Sequence, residues 1–302
     1  MDYIMIKLLK KSGKIAGELV KDMNLKKIES GVVFHHKNLQ GKDLSKSNLC
    51  GKNFSESDLR NVSFKGSKLD NSYFSQSIMS NTDMSNVRLV GAQFDKAKTK
   101  GMKLAGANLT NALFYQANLK ATDFSKATLK GVIFRGSDLS DSDFRKANLT
   151  DFHMSMSWYN GANFEGADLR RSSISACKLI AANLIAVNLD SVEIESTPLV
   201  STRLMQSSLK NTTLNFCDMA CVNASGSNFE NAKFSDCNLY RADLSNCNMR
   251  GAVFTNTIFE EADFTGTDIT GADFTGSYTN DLYLTADQIK SAIGITKTRK
   301  WI

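Results

Sequence analysis

Proline is almost missing from this chain: Pro198 stands alone among 302 residues. A Pro-rich linker between domains is therefore excluded. Histidine occurs three times, as His35, His36 and His153. The adjacent pair has no Cys or carboxylate at metal-ligand spacing along the chain, so it reads as surface and no metal is expected. The six cysteines form no CxxC and no paired spacing. That argues against a disulfide framework and for a reducing compartment. No window approaches the ~18 apolar residues of a membrane span. Lys7, Lys10, Lys11, Lys14 and Lys21 break up the only candidate for a signal-peptide core. A GxSxG elbow, a Ser/His/Asp set, a Walker loop and a dinucleotide fingerprint are all missing, so neither enzyme activity nor a cofactor is expected.

What the chain has instead is a period. The stretch GANLTNALFYQANLKATDFSKATLKG, Gly106 to Gly131, places Leu109, Phe114, Leu119, Phe124 and Leu129 five residues apart. A small residue precedes each by two: Ala107, Ala112, Ala117, Thr122 and Ala127. The phase holds without insertion or deletion from Phe34 to Leu284. Of the 51 positions whose numbers end in 4 or 9, 23 are Leu, 16 are Phe and eight are Met or Ile. The exceptions are Thr99, Tyr159, Ala224 and Thr279. An α-helix cannot use such a period, because five residues advance about 500° and scatter the apolar positions. A short extended stretch explains it: small-in, polar-out, large-in, then two turn residues rich in Gly, Asn, Asp, Ser and Thr.

The number of sides follows from the same positions sorted at spacing 20. One column reads Phe34, Phe54, Phe74, Phe94, Phe114, Phe134, then Met154, Ile174, Ile194 and Leu214, then Phe again at 234, 254 and 274. Another is Leu49, Leu69, Leu89, Leu109, Leu129, Leu149, Leu169, Leu189 and Leu209. Like stacks on like every four units, as coils of 20 residues require. These ladders are the predicted core of an all-β, four-sided solenoid of about 13 coils, a rod roughly 60 Å long at ~4.8 Å per coil.

The unit resembles that of the pentapeptide-repeat family, A(D/N)LxX. ANL at Ala107, Ala117, Ala147 and Ala182 and ADL at Ala167 and Ala242 match it; so do ANF at Ala162 and ADF at Ala262 and Ala272. The resemblance implies a right-handed quadrilateral β-helix. It also implies bacterial relatives that act without catalysis, among them secretion-system effectors that dock on host partners and DNA mimics that bind gyrase.

The domain reading is 1–31 as an amphipathic helical cap or docking segment, 32–286 as the β-helix, and 287–302 as a short helix and basic tail. Thr285-Ala-Asp-Gln288 is a capping box opening a helix over about 286–293. Several positions break the pattern. Thr99 is small and Met102 large for their slots, and the two compensate in volume. Phe152 intrudes near Tyr159. Ala224 leaves a void or a local collapse. Lys37, Lys42 and Lys52 occupy inward slots, so the first coils are irregular, splayed, or carry these side chains out toward the end of the rod. Cys177, Cys217, Cys237 and Cys247 fall in the small inward slot. Cys217 and Cys237 are one coil apart, near enough for a disulfide, although small-residue packing is the simpler reading. Cys50 and Cys221 point outward.

The net charge of +6 hides a polarity. Residues 32–150 hold 18 basic and 10 acidic side chains, and residues 151–286 hold 8 and 16. Three functions compete. The first is a protein-interaction rod with an unidentified partner, in the cytoplasm or delivered into a host cell. Its candidate partner surface is Lys7, Lys10, Lys11 and Lys14, with membrane-surface contact open to that segment, and Trp301. The second is gyrase binding by DNA mimicry, carried by the acidic half. The third is salt-sensitive nucleic-acid binding by the basic half, weakened because the Phe residues point inward. Antiparallel pairing of two polarised rods is expected to give a weak homodimer at low salt.

Overall fold

The computed structural model describes residues 34–279 and 282–295, and the backbone of 299–300. Each five-residue unit is an extended stretch closed by a turn. The N–H of Ala112 donates to the Leu109 carbonyl at 2.8 Å, and that of Ala107 to Leu104 at 3.0 Å. The second turn residue lies in the left-handed region, with φ between 49° and 60° wherever it is not glycine. Turns with that third position favour Gly and Asn. The outward Asn or Asp just before the turn supports it. Asn108 Oδ1 accepts from the Thr110 N–H at 3.1 Å, and Asp123 Oδ1 from Ser125 at 2.9 Å. The D/N of the repeat is thus turn chemistry.

Parallel pairing joins residue n to n+20 from Asn38↔Asp58 to Asp273↔Ile293. One side, face A, carries the extended strands β1 (His153–Ser155), β2 (Ser173–Ser175), β3 (Glu193–Glu195), β4 (Thr213–Asn215), β5 (Lys233–Ser235) and β6 (Val253–Thr255). They form one sheet in that order, with Met154↔Ile174 and Phe234↔Phe254 in register. Faces B, C and D follow along the chain and pair through single bridges, such as Ile78↔Lys98, Asp83↔Lys103 and Arg88↔Asn108. The fold is a parallel β-solenoid with four sides.

Both predicted ladders are buried along their whole length. Phe54, Phe74, Phe94 and Phe114 stack with centroids 4.5–5.1 Å apart and planes within 8°. Phe134 then tilts by 37°, and Phe152 meets it edge-on at 5.6 Å. The small inward slot binds neighbouring coils together. Ser67, Thr82, Ser142 and Thr212 each donate a hydroxyl to the carbonyl 23 residues earlier, at 2.7–2.8 Å. This satisfies a buried hydroxyl and a carbonyl at once.

The irregular positions resolve mostly without disruption. Thr99 and Met102 are both buried, and Thr99 donates its hydroxyl to Asn118 O at 2.8 Å. Ala224 is buried and does not border the axial gap described next. Between Phe164 and Phe229 the ladders hold no aromatic residue. There a narrow apolar gap runs along the axis, bordered by Leu169, Ile174, Leu189, Ile194, Leu209 and Leu214 among others. Aliphatic side chains are too short to meet across the centre as stacked rings do. The coils bearing Lys37, Lys42 and Lys52 are not splayed: their bridges and turns keep the common register, and the three lysines are half-buried. Half burial fits lysines whose alkyl stems are covered while their ammonium groups reach water.

At the far end β7 (Tyr283–Leu284) precedes α1 (Ala286–Ser291), and β8 (Arg299–Lys300) pairs with β7. Thr285 and Gln288 form the expected capping box. The Gln288 amide also donates to Phe264 O at 3.1 Å and Thr267 O at 2.9 Å, tying the helix to the last coils. Segment 1–31, with Lys7, Lys10, Lys11 and Lys14, lies outside the described residues, as does Trp301.

Candidate functional site

The repeat dictates what faces solvent: one residue in the middle of each side and two at each corner. Faces C and D follow it with Asn, Asp, Ser, Thr, Lys and Arg almost throughout. Faces A and B, and the corner between them, do not. Of the twelve large apolar side chains exposed among the described residues, nine lie there within the repeats and a tenth, Ile293, pairs with Asp273 of face A beyond them. Tyr73 and Val253 stand on face A, Ile78, Trp158, Ile258 and Tyr278 on face B, and Tyr115, Met156 and Phe216 at the corner. This A–B edge is a broken apolar stripe along the rod.

Two of these residues are informative because nothing in the fold asks for them. Met156 and Phe216 hold φ of 49° and 53° and are 56% and 59% exposed. A bulky side chain in the left-handed region costs about 1–2 kcal/mol relative to ordinary backbone, and an exposed one gains little burial in return. Gly or Asn would suit the turn better.

His35 and His36 occupy the same corner in the first described coil. Spacing along the chain hides their neighbour, which is Glu56, stacked from the next coil. His35 Nε2 lies 3.5 Å from Glu56 Oε1, and His36 Nδ1 lies 3.3 Å from Glu56 Oε2.

The inward reactive candidates are closed off from solvent. The four inward cysteines are buried free thiols. Burial pushes Cys177 up to about 11 and Cys247 up to about 12, and the neighbouring Cys237 together with burial pushes Cys217 higher. Thiols so held carry no thiolate at neutral pH. Cys217 and Cys237 donate to the carbonyls of Ile194 and Leu214, as the serines do. Cys50 and Cys221 are exposed, as expected. The ring of Tyr159 is wholly buried, its hydroxyl has no hydrogen-bond partner, and burial lifts its pKa well above the ordinary value.

The charges form local pairs. Arg60 beside Asp58 and Arg170 beside Asp168 hold those carboxyls below the usual range. Asp151 sits between Arg171 at 2.8 Å and Lys130 at 3.4 Å. No helix of the described residues is long and apolar enough to cross a membrane.

A parallel solenoid built of five-residue units defines a class, and comparison with known families places the chain within it. Pentapeptide repeats match residues 30–66, 38–76, 67–98, 199–236 and 237–276, and a pentapeptide repeat region matches 107–184. Together these cover about three quarters of the chain, which belongs to the pentapeptide-repeat family. No curated protein matches it. Among solved structures it is similar to HetL, a pentapeptide repeat protein involved in heterocyst differentiation regulation in Nostoc sp. strain PCC 7120. The identity is 18%, over 80% of this chain and 91% of HetL, with a TM-score of 0.41. It is also similar to full-length QnrB1, a plasmid-mediated fluoroquinolone resistance protein: 20% identical over 65% of this chain and 92% of QnrB1, TM-score 0.42.

Proposed function

We propose that this chain is a non-catalytic interaction rod that presents its A–B edge to a protein partner. The observation that carries this reading is the placement of Met156 and Phe216, which are apolar, exposed and held in the left-handed turn position. Trp158 beside Met156 supplies the aromatic anchor type that dominates protein interfaces. The finer reading is a docking rod delivered into a host cell, with the Lys7, Lys10, Lys11 and Lys14 segment and Trp301 as added contacts. The test is quantitative cross-linked capture from host and bacterial lysates. Met156→Ser/Trp158→Ser/Phe216→Ser is compared with wild type and with a face-D variant, Lys68→Ser/Arg88→Ser. The edge variant is expected to lose the captured proteins and the face-D variant to keep them; the reverse pattern refutes the assignment.

A second reading, gyrase binding by DNA mimicry, rests on the 16 acidic and 8 basic side chains of residues 151–286. The excess of basic over acidic residues in 32–150 opposes it, since a mimic of duplex DNA needs negative charge along its length. A supercoiling assay showing protection of gyrase would favour it over the edge reading. The same polarity supports self-pairing, and sedimentation at low and high salt tests it: a dimer that dissociates in salt supports antiparallel association, and a monomer in both excludes it.

A further inference from the structure

We propose that His35, His36 and Glu56 bind one divalent transition-metal ion of the zinc class, which staples the first described coil to the next. The three ligand atoms all lie within 4.8 Å of one another. Zinc bonds of about 2.0–2.2 Å in a tetrahedron separate neighbouring ligand atoms by roughly 3.4 Å. The two imidazole nitrogens stand 3.5 and 3.3 Å from the two oxygens of the Glu56 carboxylate, one each, so either oxygen already has one nitrogen at that length. Closing the third edge needs only rotation of side chains that are 36–59% exposed.

The backbone arranges this convergence. His36 and Glu56 hold the same left-handed conformation, φ 55° and 58°, at stacked corners. The His36 N–H donates to Ser55 O at 3.1 Å, fixing the two corners against each other. Two imidazoles and one carboxylate form a borderline N/O set that suits zinc, nickel or copper; calcium and magnesium want oxygen ligands. The alternative is a plain ion pair between Glu56 and protonated histidines. It accounts for the geometry less well. The two rings have centroids 3.9 Å apart, and a plain pair with Glu56 asks for only one of them, whereas a shared ion uses both. Three protein ligands leave a fourth position for water or another donor, so the site is a structural clip with one exchangeable ligand.

The test uses untagged full-length protein stripped with chelator, titrated with zinc chloride by calorimetry. Hydrogen exchange is followed at the amides of residues 36–44 with and without zinc. Wild type and His153→Ala, which alters the one remaining histidine, are expected to bind one equivalent, and zinc should slow exchange in that segment. Glu56→Gln and His36→Ala should lose affinity on the order of 10–100-fold and show no protection. His36→Ala leaves the fold intact by precedent, because alanine already holds left-handed corners at Ala121, Ala176, Ala181 and Ala186. The absence of saturable one-equivalent binding would overturn the proposal. So would undiminished binding by both variants, or binding that disappears only with Cys50→Ser/Cys221→Ser.

Discussion

Gly131 sits at a corner directly above Asn111, and that contact can be measured. A Cβ at position 131 would collide with Asn111 Oδ1 and lie 3.5 Å from its Cγ. Gly136, one corner further on, has nearly the same φ, 70° against 67°, yet a Cβ there would meet nothing closer than Gln116 Cγ at 3.5 Å. Alanine at either site carries the left-handed penalty, about 1 kcal/mol. Only at 131 must a neighbour also move. Forcing Asn111 out of its rotamer well costs about 0.5–1.5 kcal/mol more. Gly131→Ala is therefore expected to lose about 2 kcal/mol and Gly136→Ala about 1 kcal/mol. Asn111→Ala/Gly131→Ala should recover the difference as a coupling energy of about 1 kcal/mol. Urea unfolding of the full chain, followed by circular dichroism, reads all of these. Equal losses at 131 and 136, or a double variant no better than the sum of its singles, would refute the reasoning. The same Asn-under-Gly pairing recurs at Asn71/Gly91, Asn86/Gly106, Asn231/Gly251 and Asn246/Gly266, with 2.5–2.6 Å approaches.

Leu129→Lys places an unpaired charge between Leu109 and Leu149 and should cost several kcal/mol or prevent folding, whereas Lys130→Glu exchanges an exposed pair with Asp151 for a screened like-charge contact and should cost far less; similar melting temperatures would contradict the inward register. Tyr159→Phe removes a buried hydroxyl without a partner and should raise stability by about 1 kcal/mol, so a lower urea midpoint would show that the hydroxyl is satisfied. The carboxyls of Asp58, Asp168 and Asp268 lie below their ordinary values, lowered first by Arg60, Arg170 and Thr270 respectively. A depressed folded pKa stabilises above the unfolded value and is lost as pH falls, so the melting temperature should hold steady above about pH 5 and drop on acidification through about pH 4 and below; a melting temperature unchanged through that range would contradict these pairings.

The period was legible because the chain never slips phase: Phe34 and Phe274 stand in the same column without an insertion between them. Spacing alone yielded the four sides, the inward Leu and Phe ladders and the capping box at Thr285. The face on which function would act was not legible in the same way. Asn-under-Gly pairs and the His35–His36–Glu56 group both join residues about 20 apart, and scanning for ligands within a few residues of each other passes over them. Both become visible when the outward positions are aligned at the coil spacing of 20, as the inward ladders are. Ion pairs such as Lys130–Asp151 escaped for the same reason. The axial gap followed from a subtler change: the Phe column turns aliphatic at Met154, and a column of Leu and Ile still reads as good core. Only the gap that these side chains border along the axis shows that they fail to fill the centre.

A rod of this kind has one place to separate folding from function, the outward corner positions, and Phe216 tests it. The turn wants Gly or Asn there, and the chain supplies Asn at many equivalent corners, Asn211, Asn231 and Asn246 among them. Phe216→Asn should therefore relieve about 1 kcal/mol of left-handed strain while leaving the buried ladders untouched. If the A–B edge is the partner surface, the same substitution should weaken capture of the partner, because Phe216 is among the most exposed apolar side chains on that edge. A gain in stability together with a loss in binding is the signature of a residue kept for recognition. A loss of stability would mean that the ring packs usefully over its stacked neighbours, and Phe216 would then belong to the fold. Unchanged capture with raised stability would remove Phe216 from the interface and leave Met156 and Trp158 to carry it.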